Sequence, residues 1–437
     1  MKTQDIIIKN GSIVKENSVV SADIWIKDGK IFKLARSIST AKLERSIIID
    51  AAGKYIFPGA LDPHTHHELN LGPGRMSSDT FATGSAAALN GGVTTIFDFA
   101  HQELPGETLL QAYRRVSKSA RSANNRVFLH SGIMRLTDDL EKQISDVFKA
   151  GAHSFKIYLN SKTVNSEFLF RAFRAIAKLG GKILLHCEDG AIIEFLKKEL
   201  HSQKKRSCKY IPESRPAYLE LHSIITAATL AKNLNAEIYI VHLSTGAGAK
   251  FIEAAQQSGV KINAETCPQY LLLDDSVYKR KDGYLYTCTP PFRKKTDCEI
   301  LWKYLDKEII KFIATDHCPF LKAQKLKFSD SFINYVYGLP GIEFSPILMI
   351  SEMRKRKFDY PKISRLLSTN AAKFFGLYPE LGVIKERSFA DLFIYNPAGE
   401  YKLSKKNWKI NSDINQFENR KVSGHIETVI FNGRIIR

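Results

Sequence analysis

The sequence predicts an α/β fold: a (β/α)8 TIM barrel with a small β-sandwich domain formed from both chain ends. Two observations predict it. Eight apolar runs between Tyr55 and Phe320 alternate with stretches of helix-compatible spacing, the pattern of parallel strands covered on both faces. Outside them, the two chain ends consist of short alternating segments broken by turn signals.

In chain order, "DIIIKNGSIV", "ADIWIKDGKIFKLA" and "RSIIIDAAGKY" read as strands of a small β unit. The barrel strands then follow as "YIFPGALDPHTH", "TTIFDFA", "RVFLHSGI", "SFKIYL", "KILLHCE", "IYIVHLS", "INAETCPQYLLL" and "KFIATDHCPF". Between them, Ser166 to Leu179 and Ser223 to Leu234 carry helical apolar spacing. Near the end, "ADLFIYNP" and "TVIFNGRIIR" return to strand character, and the Asn-Gly turn echoes "KNG" and "KDG" near the start. The termini are therefore expected to pair in one discontinuous domain, residues 1–55 plus 378–437, around a catalytic barrel of residues 56–377. There is no internal repeat, low-complexity tract or flexible linker.

Composition narrows the function. With 437 residues, 44% of them hydrophobic, the chain can bury a large core. No apolar stretch of about 18 residues and no signal-like start occurs, so a soluble, cytoplasmic protein with no membrane partner is expected. The six cysteines form no Cys-x-x-Cys pair, which signals neither a disulfide framework nor a zinc finger. A net charge of +19 raises nucleic acid as a partner. The basic residues are spread along the chain among acidic ones, which favours a solvated lysine-rich surface and no nucleic-acid groove.

Chemistry collects at the C-terminal ends of barrel strands. His64 and His66, two apart in extended backbone, project from one face and can reach one ion. Lys156, His186, His242 and Asp316 fall at the ends of the fourth, fifth, sixth and eighth strands. Each alone has an ordinary structural explanation, but their common placement points to a divalent metal site, zinc by ligand type. An ammonium cannot ligate a cation. A buried lysine with a lowered pKa can instead take up carbon dioxide as a carbamate, whose two oxygens bridge two metals.

The motifs "PGALDPHTH", "SFKIYLNSK", "LLHCEDG", "AETCPQYLLL", "TPPFR", "ATDHCPF" and "STNAAKFFGLYPELGVI" resemble the cyclic amidohydrolases of the amidohydrolase superfamily, most nearly the hydantoinase/dihydropyrimidinase branch. The resemblance covers almost the whole chain. It implies His64, His66 and Asp316 on one metal, His186 and His242 on the second, and carbamylated Lys156 between them. It also implies Asp316 as the proton-shuttling catalytic group, a cyclic amide opened to a carbamoyl-amino acid, and a homotetramer or homodimer. All six ligand positions are filled, which favours an enzyme over a metal-free structural homologue.

Substrate contacts depart from the family pattern. Where hydantoinases place an oxyanion-binding tyrosine, this chain has Ser161, with Tyr158 nearer the lysine; Tyr337 replaces an asparagine, and Thr289 matches a serine whose backbone contacts the ring. Loss of one oxyanion donor can cost about 2.7–4 kcal/mol. Allantoinase- or dihydroorotase-like activity is the alternative: Arg75 resembles an allantoinase feature. Glu68 stands where dihydroorotases carry a carboxylate-binding arginine.

Overall fold

The computed structural model describes residues 4–39, 46–161 and 163–437. Arg45 of the third terminal run and Lys162 of the lysine motif lie outside them. Eight parallel strands, Ala60–Thr65, Val93–His101, Arg126–Ile133, Ser154–Tyr158, Lys182–His186, Glu237–Ile240, Ile262–Thr266 and Phe312–Ile313, form one sheet in which each pairs with the next. A parallel bridge between Thr65 and His317 brings the last strand end back to the first. Asp62 reinforces that closure by accepting from Thr315 N at 3.1 Å and Thr315 Oγ1 at 2.5 Å. All eight strands overlap the eight apolar runs, Val93–His101 overrunning its run by one residue at each end and Glu237–Ile240 by one at its start, so the fold is the TIM-like barrel that their alternation predicts.

Two of those runs are divided between two elements. The first divides at Gly59: Tyr55–Pro58 pairs with Leu392–Lys402 in the small domain, and only Ala60–Thr65 enters the barrel. A Cβ at Gly59 would lie 2.1 Å from Thr94 Oγ1, so the crossing between the two sheets has room for a backbone alone. The seventh run stops as a strand at Thr266, because Pro268 opens the short helix Pro268–Leu272.

The chain ends build two sheets. One takes Lys30–Ala35, Asp23–Lys27, Ile6–Lys9 and Ile47–Asp50 in that order; the other joins Tyr55–Pro58, Ser12–Val14 and Val19–Ser21 to the C-terminal strands Leu392–Lys402, Lys421–Phe431 and Arg434–Ile435. Ile6, Ile8, Ile24, Ile26, Ile56, Leu392, Ile394 and Ile430 share one buried apolar cluster. Asp28-Gly29 and Asn432-Gly433 both take positive φ, as hairpin turns of this type require. The two turns abut, since a Cβ on Gly433 would lie 2.8 Å from Gly29 Cα.

Helices cover the barrel through the same patterning. Ser166–Lys178 buries Phe168, Leu169, Ala172, Phe173 and Ile176 along one face, and Asn165 caps it by accepting from Phe168 N. The helix expected from Ser223 begins earlier, at Ala217, directly after Pro216. Its first turn includes buried Glu220, a polar residue that interrupts the apolar spacing. Glu220 accepts from Ser244 N at 3.0 Å and Thr245 N at 2.8 Å, fixing the loop just beyond His242. No helix among the described residues is long and apolar enough to cross a membrane, and all six cysteines are free.

Candidate active site

Parity along the first strand sends His64 and His66 to the barrel mouth, where Asp316 meets them from the far side of the closure. His64 Nε2 lies 3.2 Å from His66 Nε2, and Asp316 Oδ1 lies 3.3 Å from His64 Nε2 and 3.2 Å from His66 Nε2. Among the described residues these three form a group with ligand atoms within 4.8 Å of one another. His186 Nδ1 stands 3.0 Å from His242 Nε2 in a second cluster, and the rings of His64 and His242 lie 5.3 Å apart. His242 and Asp316 both have positive φ, at 39° and 51°, a region uncommon for non-glycine residues that Asp and His enter more readily than most, and a local strain at two of these strand ends.

Lys156 lies beneath both clusters, fully buried, and its Nζ has no hydrogen-bond partner. It sits 5.2 Å from the centre of the Phe99 ring and 5.1 Å from that of Tyr158. Burial lowers its pKa to about 8 against the pull of Glu265 and Asp316, so near neutral pH a useful fraction is free amine. Burial also holds His64 and His242 well below the ordinary imidazole range and lowers His186, leaving lone pairs available.

Buried carboxylates orient the imidazoles from behind. Glu265 lies 2.5 Å from His64 Nδ1 and accepts from Tyr239 Oη at 2.5 Å and His242 N at 3.0 Å. Burial pushes Glu265 up to about 8, with Tyr239 and Lys156 pulling the other way. Glu188 accepts from His186 Nε2 at 2.8 Å and Arg215 Nη1 at 2.5 Å. Burial alone would raise Glu188, but Arg215, His186 and Arg293 hold it down to about 2. Such outer partners fix ring orientation and ligand basicity.

A cavity of about 460 Å³ opens over this group. His64, His66, His186, His242, Asp316, Thr289, Tyr158, Ser161 and Tyr337 all line it, joined by Leu69, Leu71 and Met134 on an apolar side. A cavity of about 520 Å³ at the opposite end of the barrel holds none of these groups. Within the mouth, Ser161 Oγ is 2.7 Å from Thr163 Oγ1, Tyr337 donates its hydroxyl to Phe332 O at 2.6 Å, and Tyr158 Oη lies 2.6 Å from His101 Nε2. Arg75 stacks on Phe328, 4.2 Å from its ring centre, and Glu68 accepts from Phe81 N and Ser119; neither lines this cavity.

Sequence reasoning missed His101, Glu265, Glu188 and Arg215. His101 stands one residue beyond the apolar run that marks the second strand and carried the same strand-end signal as the others. Glu265 shares the inward parity of the seventh strand, and Glu188 follows His186 by two.

The amidohydrolase family profile matches residues 55–436. The D-hydantoinase of Ralstonia pickettii is 33% identical over 440 residues, covering 99% of this chain and 95% of the relative. The D-phenylhydantoinase of Escherichia coli is 32% identical over 438 residues, covering 99% and 94%. Among solved structures, the dihydropyrimidinase from Brevibacillus agri superposes with a TM-score of 0.94 at 30% identity, covering 99% of this chain and 95% of that one. The L-hydantoinase from Arthrobacter aurescens reaches 0.89 at 26% identity, covering 99% and 96%.

Proposed function

Because the chain belongs to the amidohydrolase family, in its hydantoinase/dihydropyrimidinase branch, we propose that it is a binuclear-metal hydrolase. Its substrate is a hydantoin, dihydropyrimidine or similar cyclic ureide, opened to a carbamoyl-amino acid. The observation that carries this reading is the convergence of His64, His66, His186, His242 and Asp316 on one cavity with partnerless Lys156 below. Neither of the other ring classes gains support, since Arg75 and Glu68 are both engaged outside the cavity.

The residues fit divalent ions. Imidazoles kept neutral by burial offer lone pairs, Asp316 offers a carboxylate, and a buried amine with no partner suits conversion to a carbamate. His64, His66 and Asp316 would hold one ion, His186 and His242 the other, and carbamylated Lys156 both. Zinc matches the donor set. When bound, such ions polarise a carbonyl and bring a water's pKa towards about 7.

This chain's residues supply the rest. Asp316 reaches the cavity wall and is placed to accept the proton of the attacking water and return it to the departing ring nitrogen. Thr289 presents its backbone to the ring, while Leu69, Leu71 and Met134 offer an apolar surface to a ring substituent. Ser161 and Tyr337 line the same wall with their hydroxyls engaged on Thr163 and Phe332.

The test is hydrolysis by metal-replete protein of substituted hydantoins, dihydrouracil, allantoin and dihydroorotate. Opening of a hydantoin or dihydrouracil ring is expected. Activity confined to allantoin or dihydroorotate would move the chain to the other ring classes, and no activity on any ring would overturn the proposal.

A further inference from the structure

We infer that His101 is a positioning residue that turns the hydroxyl of Tyr158 into a hydrogen-bond donor for the carbonyl oxygen of the ring being opened. The inference rests on the hydrolase reading above. His101 closes the second barrel strand and Tyr158 the fourth, so their contact must cross the third. At the crossing stands Gly132, whose register partners are His101 on one side and Lys156 on the other. A Cβ there would lie 2.6 Å from His101 Cδ2. The missing side chain is what lets the imidazole pass over the strand and bring Nε2 to 2.6 Å from Tyr158 Oη.

The rest of the surroundings fix this geometry. The carbonyl of His101 accepts from Arg115 Nη2 at 2.9 Å and Glu103 N at 3.0 Å, pinning the strand end. Its ring stacks against Phe99 at 5.6 Å. A neutral imidazole has one N–H and one lone pair and a phenol one O–H, so across the 2.6 Å contact the donor is either Nε2 or Oη.

With that proton on Nε2, His101 donates to the phenol oxygen and leaves the phenol's own proton for the cavity. Successive hydrogen bonds of one sense polarise each other, strengthening the outer donor. No proton is transferred: the pair stabilises charge as it grows on the carbonyl oxygen, the work of an oxyanion donor. The other two side-chain hydroxyls expected at the ring, those of Ser161 and Tyr337, already have partners.

The experiment uses the full-length, metal-replete chain and the ring it opens fastest. Tyr158→Phe should lower kcat about a hundredfold or more, with KM within a few-fold. His101→Leu should lower kcat at least about tenfold, and the double variant should be no slower than Tyr158→Phe alone, because the two act as one unit. His101→Gln, which keeps an N–H, should recover part of the loss, with metal content unchanged throughout. In ¹⁵N-histidine spectra, the signal lost in His101→Gln should be that of an Nε2–H tautomer. Full kcat in His101→Leu, independent multiplying losses, or an Nδ1–H tautomer would overturn this inference alone. A wild-type chain that opens no ring would overturn the proposed function and this inference with it.

Discussion

At Lys156, burial and chemistry meet in one side chain: an ammonium here would leave three donors without acceptors, whereas a carbamate would face two groups of metal ligands. Lys156→Ala should therefore drop bound metal from about two per chain to about one, and cut activity about a hundredfold or more. Short carboxylic acids should restore part of it by supplying oxygens. Retained metal and activity in the variant would refute the bridging role. Glu265→Gln tests a residue one step removed, since it keeps the shape behind His64 and puts an NH2 in place of one of the two oxygens that meet His64, Tyr239 and His242 N. Metal affinity should weaken about 10–100-fold, measured by competition with a chelator. That His64, His66, His186, His242 and Asp316 meet at one cavity was legible in the sequence, because two-residue parity and strand ends are local signals. Glu265 and the His101–Tyr158 pair were not, because each contact reaches a side chain on another strand, and Glu188, though only two residues after His186, is fixed by the distant Arg215 and Arg293; sequence spacing carries no record of such contacts.

Among the elements, the short helix Lys322–Lys327 drives Lys325 into the protein, where its ammonium donates to Thr287 O and Thr287 Oγ1 at 3.0 Å each. Burial lowers its pKa to about 7, against an ordinary value of 10.5. Between those values the unfolded chain holds the proton that the folded chain has released, so stability rises with pH from about 7 towards 10 and gains nothing from this group below 7. Lys325→Met removes the titration. From pH 7.5 to 9.5 the wild type should gain on the variant by about 2 kcal/mol, within a ceiling of about 1.4 kcal/mol per pH unit, read from denaturant midpoints. Parallel profiles for the two proteins would show that Lys325 is charged in both states. Elements were legible where periodicity was uninterrupted, as in Ser166–Lys178. They were obscured where a backbone constraint acted instead: Gly59 divides a continuous apolar run between two domains, and Pro268 turns the end of another into a helix.

For the whole molecule, the ligand groups come from the first, fourth, fifth, sixth and eighth strand ends, so bound ions would join segments far apart in the chain. The unfolded chain has no such assembly, and binding to the folded state alone stabilises it by about 4.1 kcal/mol when free metal is a thousand times its dissociation constant. Chelation should accordingly lower the thermal midpoint by several degrees and abolish ring opening. Zinc added back without carbon dioxide should restore much of the midpoint, because His64, His66 and Asp316 need no modification to bind. Activity should return only with zinc and bicarbonate together, since a carbamate on Lys156 would form from dissolved carbon dioxide and the free amine. The two readouts separate: recovery of activity with zinc alone in carbon-dioxide-free buffer would leave a metal enzyme without a carbamate. An unchanged midpoint and full activity after chelation would remove the ions from both folding and catalysis.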